Sequence, residues 1–352
     1  MTPKERVMAV INHEPVDRIP LDYWATGEVT EMLMKHLRTE TVADLYNRLN
    51  IDKIMGVGPR YIGPELQTYP DGSVEDLRGT RRKAQEYATG VYMEISVWPI
   101  AHAETIDDLQ DYRWPSADWF DFSNVSSACD AIVDHPIQAG AVGPFYEYCN
   151  IRGIQKTLED MALRPELAHY IVDKIMAFDI EYLSRLFEAG HGKIDLTTIG
   201  DDFGMQDRLL MSMDMWREFY YPQFERIVNL ARQYGTKVFH HDDGAVMKLV
   251  PDFIELGLDV LNPIQWQCGM DLTTLKKDFG KDLCFHGGID NQWVLPFGTT
   301  DDVKQEVTRC ISILASDKTG YMLAPCHNIQ ANTPIENILT MYEVAAVEGR
   351  FD

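Results

Sequence analysis

From residue 193 onward the sequence alternates short apolar runs with longer amphipathic ones, and the connections are brief. The runs 193–200, 236–241, 259–265, 282–290 and 320–330 read as strands. Helical patterns separate them over 213–235, 245–257, 271–280 and 300–316, and a last helix covers 334–349. Consecutive strands joined through helices lie parallel, because a parallel pair needs a long crossover. The first half adds RIPLDYWA (18–25), DKIMGVG (52–58) and PIQAGAVGP (136–144). Eight such units predict an α/β fold, a (β/α)8 TIM barrel. A doubly wound open sheet usually opens on a Gly-rich phosphate turn, and neither GxGxxG nor GxxxxGK[ST] occurs here.

One stretch breaks the rhythm. Residues 78–115 alternate aromatic and polar side chains around Thr89 and Gly90. They predict a β-hairpin inserted after the second strand, followed by a short helix. Insertions at that end of a barrel strand commonly cover the active site. With no Gly/Ser-rich linker and no repeat, residues 1–352 read as one domain.

Charge and cysteine usage exclude several classes. The 32 Lys and Arg residues face 55 Asp and Glu, a net charge of −23. Nucleic-acid binding needs a basic surplus that this chain lacks. No apolar run approaches the ~20 residues of a membrane span. The opening MTPKERVMAVINHEPVDRIP has no signal-peptide core. Cys129, Cys149, Cys268, Cys284, Cys310 and Cys326 are scattered without a CxxC pair, which points to a reducing, cytoplasmic compartment.

Polar residues gather where the strands end, which is where a barrel carries its chemistry. They include Asp22, Tyr23 and Trp24; Tyr146, Glu147 and Tyr148; Asp201, Asp202 and Gln206; His240 to Asp243; His286 and Asp290; and Cys326, His327, Asn328 and Gln330. Residues two apart on a strand face the same way, so His241 and Asp243 share one side and His240 and Asp242 the other. An imidazole and a carboxylate converging there suit a divalent metal, preferably zinc, and equally suit an acid/base pair. Asp243 read blandly is a helix cap. Cys326 and His327 are both zinc-ligand types, and as neighbours only one of them turns inward. Asp201 and Asp202 form either a carboxylate pair with one raised pKa or a cap and a solvated turn. Gly287 and Gly288 allow close backbone approach to a ligand or make a tight turn.

The segments KERVMAVINHEPVDRIPLDYW, IGDDFGMQ, HGGID and GYMLAPCHNIQANTPIENI resemble the uroporphyrinogen decarboxylase superfamily, and the resemblance spans nearly the whole chain. It implies a (β/α)8 barrel and one of two activities. One is cofactor-free decarboxylation of a porphyrinogen. The other is zinc-dependent methyl transfer between a corrinoid protein and a thiol such as coenzyme M. The decarboxylases carry an Arg-rich N-terminal motif where this chain reads LDYWATGEV, and a catalytic Asp after the second strand where it reads DKIMGVGPRYIGP. Arg60 and Arg152 are the evident remaining cations for a polycarboxylate. The methyltransferases show His-x-Cys-Gly at one strand end and a Cys after the last strand. Here these become His241-x-Asp243-Gly244 and Cys326-His327.

The resemblance therefore implies a methyltransferase-like branch of the superfamily. His241, Asp243 and His327 or Cys326 would hold zinc or another divalent metal. Asp202, Gln206, Asp290 and Tyr148 are the catalytic candidates. Trp24, Tyr146, Gly288 and Asn328 are the candidates for cofactor contact. The expected partners are a small-molecule substrate, a corrinoid carried by another protein, and a second copy in a homodimer. The alternatives are a decarboxylase, with Tyr148 or His327 acting beside Arg152, and a non-catalytic corrinoid- or ligand-binding barrel.

Overall fold

The computed structural model describes residues 1–87 and 90–351. Seven parallel strands form one curled sheet in chain order: Met55–Val57, Ile137–Val142, Leu196–Gly200, Lys237–His241, Val260–Ile264, Cys284–Ile289 and Tyr321–Pro325. Each pairs with its sequence neighbour through a helical crossover, giving a TIM-barrel-like α/β fold. The crossovers include the long helix Pro165–Gly190, which Pro165 opens at its first turn, where a missing N–H does no harm. Thr300–Leu314 is capped by Thr299 and Asp302, each accepting from the other's backbone amide.

The expected first strand, 18–25, is not a continuous strand. It touches the sheet through isolated parallel bridges, Leu21 with Leu323 and Ala25 with Ile329. Pro20 offers no N–H on this stretch, so the ladder cannot run through it. The segment still links the two sheet edges. Asp22 N donates to Leu323 O on one side, and Asp52 N donates to Leu21 O on the other.

Strand alternation sorts the interior into storeys. Leu196, Phe239, Val260, Cys284 and Met322 pack together with Val7, Val10 and Ile11 of the helix Pro3–Ile11, which plugs one end. Two residues further along their strands, His241, Asn262 and His286 stand above this apolar plug. Val238, Leu261, Phe285 and Leu323 point the opposite way, into the layer packed by Phe224, Phe253, Leu275 and Val307 of the surrounding helices.

Arg81–Tyr87 and Gly90–Val97 pair antiparallel, and Val74–Glu75 adds a third strand. Of the two residues expected at the hairpin turn, Thr89 lies outside the described residues. Gln330 accepts from the Tyr87 hydroxyl at 3.3 Å and donates to Tyr92 Oη at 3.2 Å. The short helix after this sheet is a 3-10 turn, Ile106–Leu109. Among the described residues no helix is long and apolar enough to cross a membrane.

The edge-linking segment is fastened by Asp52, whose side chain has no solvent access. Its carboxylate accepts from Arg6 Nη1 at 2.5 Å, from Arg18 Nη1 at 2.6 Å and from Leu21 N at 3.1 Å. Removing one partner of a buried ion pair strands the other charge. Asp52→Ala is expected to lose about 3–5 kcal/mol in urea denaturation. A loss under ~1 kcal/mol, the scale of an exposed pair, would show that Asp52 does not clamp the segment.

Candidate metal centre

At the end of Lys237–His241 the alternation separates two histidines. His240 is fully buried against the rings of Phe224 and Phe253, at 5.1 and 4.6 Å between centroids. Burial pushes it down to about 3, so the ring is neutral, and its Nδ1–H donates to Ile199 O. Its Nε2 lies 3.5 Å from Asp242 Oδ2. Burial also pushes the Asp242 carboxyl well up. Asp242 Oδ1 accepts from Phe203 N at 2.7 Å and Gly204 N at 3.3 Å, tying the loop after Leu196–Gly200 to the loop after His241. The two loops meet on glycines. A Cβ on Gly204 would lie 2.2 Å from Asp243 O, and Gly244 sits at φ +94°, a region glycine favours.

His241 and Asp243 take the other side. His241 Nε2 lies 3.8 Å from Asp243 Oδ2 and 3.9 Å from Asp202 Oδ1. The His327 ring stands 6.1 Å from that of His241. One ligand atom from each of His241, Asp243 and His327 lies within 4.8 Å of the other two. Asp243 Oδ1 is buried and has no hydrogen-bond partner. Burial pushes this carboxyl up, the Asp202 charge adds to the effect, and the two histidines oppose it. A carboxylate with an unpaired buried oxygen, converging with two imidazoles, is a donor set short of a cation. The donors fit a divalent metal of zinc type, with one carboxylate in place of sulfur.

The cluster opens on a cavity of about 350 Å³. Gly143, Tyr146, Glu147, Asp202, His241 and His327 are among its lining, which includes no Lys or Arg. Glu147 also borders a neighbouring cavity of about 310 Å³ that contains Arg78. That guanidinium is occupied by Glu147 at 2.9 Å and Asp179 at 3.0 Å. Trp24 packs at 5.7 Å from His241 and 5.6 Å from His286.

Several expected site residues lie elsewhere. Cys326 is fully buried, its thiol is pushed well up by burial, and its Sγ donates to Ile264 O at 3.3 Å. Of the Cys326–His327 pair it is His327 that faces the cavity. Tyr148 is buried with its hydroxyl on Asp160, because its position on the helix Pro144–Arg152 turns it inward. Arg152 is held by the same carboxylate and Arg60 by Asp121, so neither reaches the cavity. Asp290 accepts from the amides of Gln292, Trp293 and Val294, which makes it a turn cap. Gly288 is buried beneath the helix Thr300–Leu314, where its carbonyl accepts from Cys310 Sγ. Asp201 is also buried and accepts from Tyr146 N, so of this pair it is Asp202 that lines the cavity. Gln206 is exposed and accepts from Cys268 Sγ at 3.4 Å. Asn328 is half-buried, outside the cavity lining. Sequence reasoning missed Asn262, Arg78 and Lys53. A single polar residue inside the apolar run DVLNPIQ was the available sign for Asn262.

Fold and site together describe a barrel-like α/β protein with a polar, acidic mouth. The uroporphyrinogen decarboxylase (URO-D) family model matches residues 84–347, and the chain belongs to that family. A uroporphyrinogen decarboxylase of Chlorobaculum parvum is 23% identical over 195 residues, 54% of this chain and 51% of that protein. The chain thus spans about half the length of this curated relative. A solved methyltransferase from Methanosarcina mazei shares the fold, with a TM-score of 0.67, 19% identity and 98% of each chain covered.

Burial leaves a testable pH signature. Glu306 accepts from Asp290 N at 2.6 Å and Trp266 Nε1 at 3.3 Å, both at Oε1. Burial pushes it from 4.5 to about 7. Between these values the unfolded chain has released a proton that the folded chain keeps, so stability falls as pH rises and levels off above 7. Glu306→Gln keeps an acceptor oxygen. It is expected to match the native protein near pH 4 and to exceed it at pH 8 by roughly 1–3 kcal/mol in urea denaturation. An equal difference at both pH values would refute the assignment.

Proposed function

We propose that this protein is a metal-dependent methyltransferase. It moves a methyl group between a corrinoid, carried by a separate protein, and a small thiol or hydroxyl substrate. The observation that carries the reading is the convergence of His241, Asp243 and His327 within 4.8 Å at the cavity mouth. These three residues would hold zinc or another divalent ion and leave a position open toward the cavity. When bound, the ion would lower the pKa of the substrate thiol or hydroxyl and favour the nucleophilic anion.

The remaining steps belong to the chain's own side chains. Asp202 accepts from Asp243 N at 3.1 Å and so fixes the loop that aims the Asp243 carboxylate. Its position near His241 also makes it the acceptor for the proton that the substrate gives up. Tyr146, 45% exposed on the cavity wall, offers an aromatic face to a bound substrate or to the corrinoid above it. The strand pair Arg81–Tyr87 and Gly90–Val97 reaches the loop of Gln330, and we read residues 78–115 as an insertion that screens the mouth. In this reading the sheet with its edge-linking segment is a (β/α)8 barrel. The six unpaired cysteines agree with a cytoplasmic setting.

The site's chemistry disfavours decarboxylation of a polycarboxylate. The cavity lining holds no Lys or Arg, while Tyr148 and Arg152 are buried and bonded to Asp160. The methyltransferase that shares the fold agrees with the reading.

Metal content by plasma mass spectrometry on untagged protein is the first check. About one zinc per chain is expected, lost in His241→Ala and His327→Ala and kept in Cys326→Ala. Methyl transfer from methylcobalamin to a thiol is expected to fall by on the order of 10²-fold or more in His241→Ala. Protein that takes up neither zinc nor another divalent ion would sink the proposal, and carbon dioxide release or tight corrinoid binding without turnover would then identify the rival.

A further inference from the structure

A line of buried side chains runs from the edge-linking segment to His241. Asp22, 3% exposed, lies at its far end. Lys53 Nζ donates to its Oδ1 at 3.0 Å, and Trp24 Nε1 donates to its Oδ2 at 2.7 Å. Burial works against the charge, but Lys53 and then His286 hold this carboxyl well below the usual carboxylate range. His286 Nε2 meets Asp22 Oδ2 at 3.1 Å, and its Nδ1 meets Asn262 Nδ2 at 2.7 Å. Asn262 Oδ1 meets His241 Nδ1 at 2.6 Å. Both His286 and Asn262 are fully buried.

Donor and acceptor roles along this line follow by elimination. An amide NH2 can only donate, so His286 Nδ1 accepts. The ring proton of His286 is then on Nε2, where the Asp22 carboxylate accepts it. With its NH2 spent on His286, Asn262 turns its carbonyl toward His241. A carbonyl can only accept, so His241 Nδ1 carries the proton. His241 Nε2 is left with a bare lone pair on the side of Asp243 and His327. Reversing any one link sets donor against donor or acceptor against acceptor among buried groups, which costs about 1–3 kcal/mol.

We propose that Asp22, His286 and Asn262 are positioning residues that lock His241 in the Nδ1–H tautomer. The lock deepens the metal reading of this site and rests on it for its purpose. Metal ligation needs the Nε2 lone pair, and a histidine free in water prefers to protonate that nitrogen. The chain would thus prepare its ligand before any ion arrives. It does so through a neutral amide rather than a carboxylate, so no negative charge is added beside Asp202 and Asp243.

The test is long-range proton–nitrogen NMR of side chains in the 15N-histidine-labelled full chain, free of metal, with His241→Gln to assign the signal. The expected result is His241 protonated at Nδ1 and His286 at Nε2. In Asn262→Ala, His241 is expected to shift toward the Nε2–H form, and its zinc Kd is expected to rise by about 10- to 100-fold. Asn262→Asp keeps an acceptor at Nδ1–H and is expected to restore the His241 tautomer. It also forces a second proton onto His286, visible in the same spectrum. A merely structural Asn262 would move none of these signals. Native His241 in the Nε2–H form, an equal mixture, or no change in Asn262→Ala would overturn the proposal. Failure to bind zinc with the expected tautomers present would sink the metal reading alone.

Discussion

The sheet becomes a site because its two edges are tied together, and the knot is Asp52. One carboxylate with no solvent access takes bonds from Arg6, Arg18 and the Leu21 amide. Those bonds fix the segment between the first and last strands of the sheet. Asp22 and Trp24 sit on that segment and reach His286 and His241 only while it is held. The polar storey of the interior is therefore no stronger than an ion cluster on the way in from the N-terminal helix.

Around the mouth the chain accumulates carboxyls whose pKa burial pushes up. Asp201 and Asp242 are pushed well up, and Asp179 rises to about 7 beside Arg78. Such groups cost stability at neutral pH. Their hydrogen bonds explain their presence. Asp201 holds the start of the helix Pro144–Arg152, and Asp242 holds the loop after Leu196–Gly200. They are the chain neighbours of Asp202, which lines the cavity, and of Asp243, which stands beside His241. The half-buried Lys53 is matched to Asp22, and the buried Arg78 to Glu147 and Asp179. The surplus at the mouth stays negative, and such a field attracts cations and repels polycarboxylates.

Strand periodicity made much of this legible. The alternating runs from residue 193 gave the order of five parallel strands. The two-residue repeat put His241 with Asp243 and set them apart from His240 and Asp242. The 18–25 run looked like a strand because its alternation is right, but Pro20 and isolated bridges make it a link instead. At Cys326 and His327 the pattern allowed one inward residue without saying which. Burial of Cys326 against Ile264 decided it. Tyr148, Asp290 and Gly288 lie outside the cavity lining for a common reason. Tyr148 and Asp290 follow strands and Gly288 lies within Cys284–Ile289, yet the placing of each depends on a helix face, a turn cap or a neighbouring helix that linear spacing does not encode. Asn262 went unseen because one amide in an apolar run looks incidental until both its neighbours are known.

Turning Cys326 away from the cavity has a chemical corollary. Oxidants attack thiolates first, and a sulfur ligand that becomes a sulfenic or sulfinic acid no longer holds its metal in the same way. This thiol is kept protonated by burial and points at a backbone carbonyl. The three convergent donors are two imidazoles and a carboxylate, none of which peroxide readily modifies. If these donors hold the proposed metal, no oxidisable sulfur stands among its ligands, unlike in a thiolate-bound counterpart.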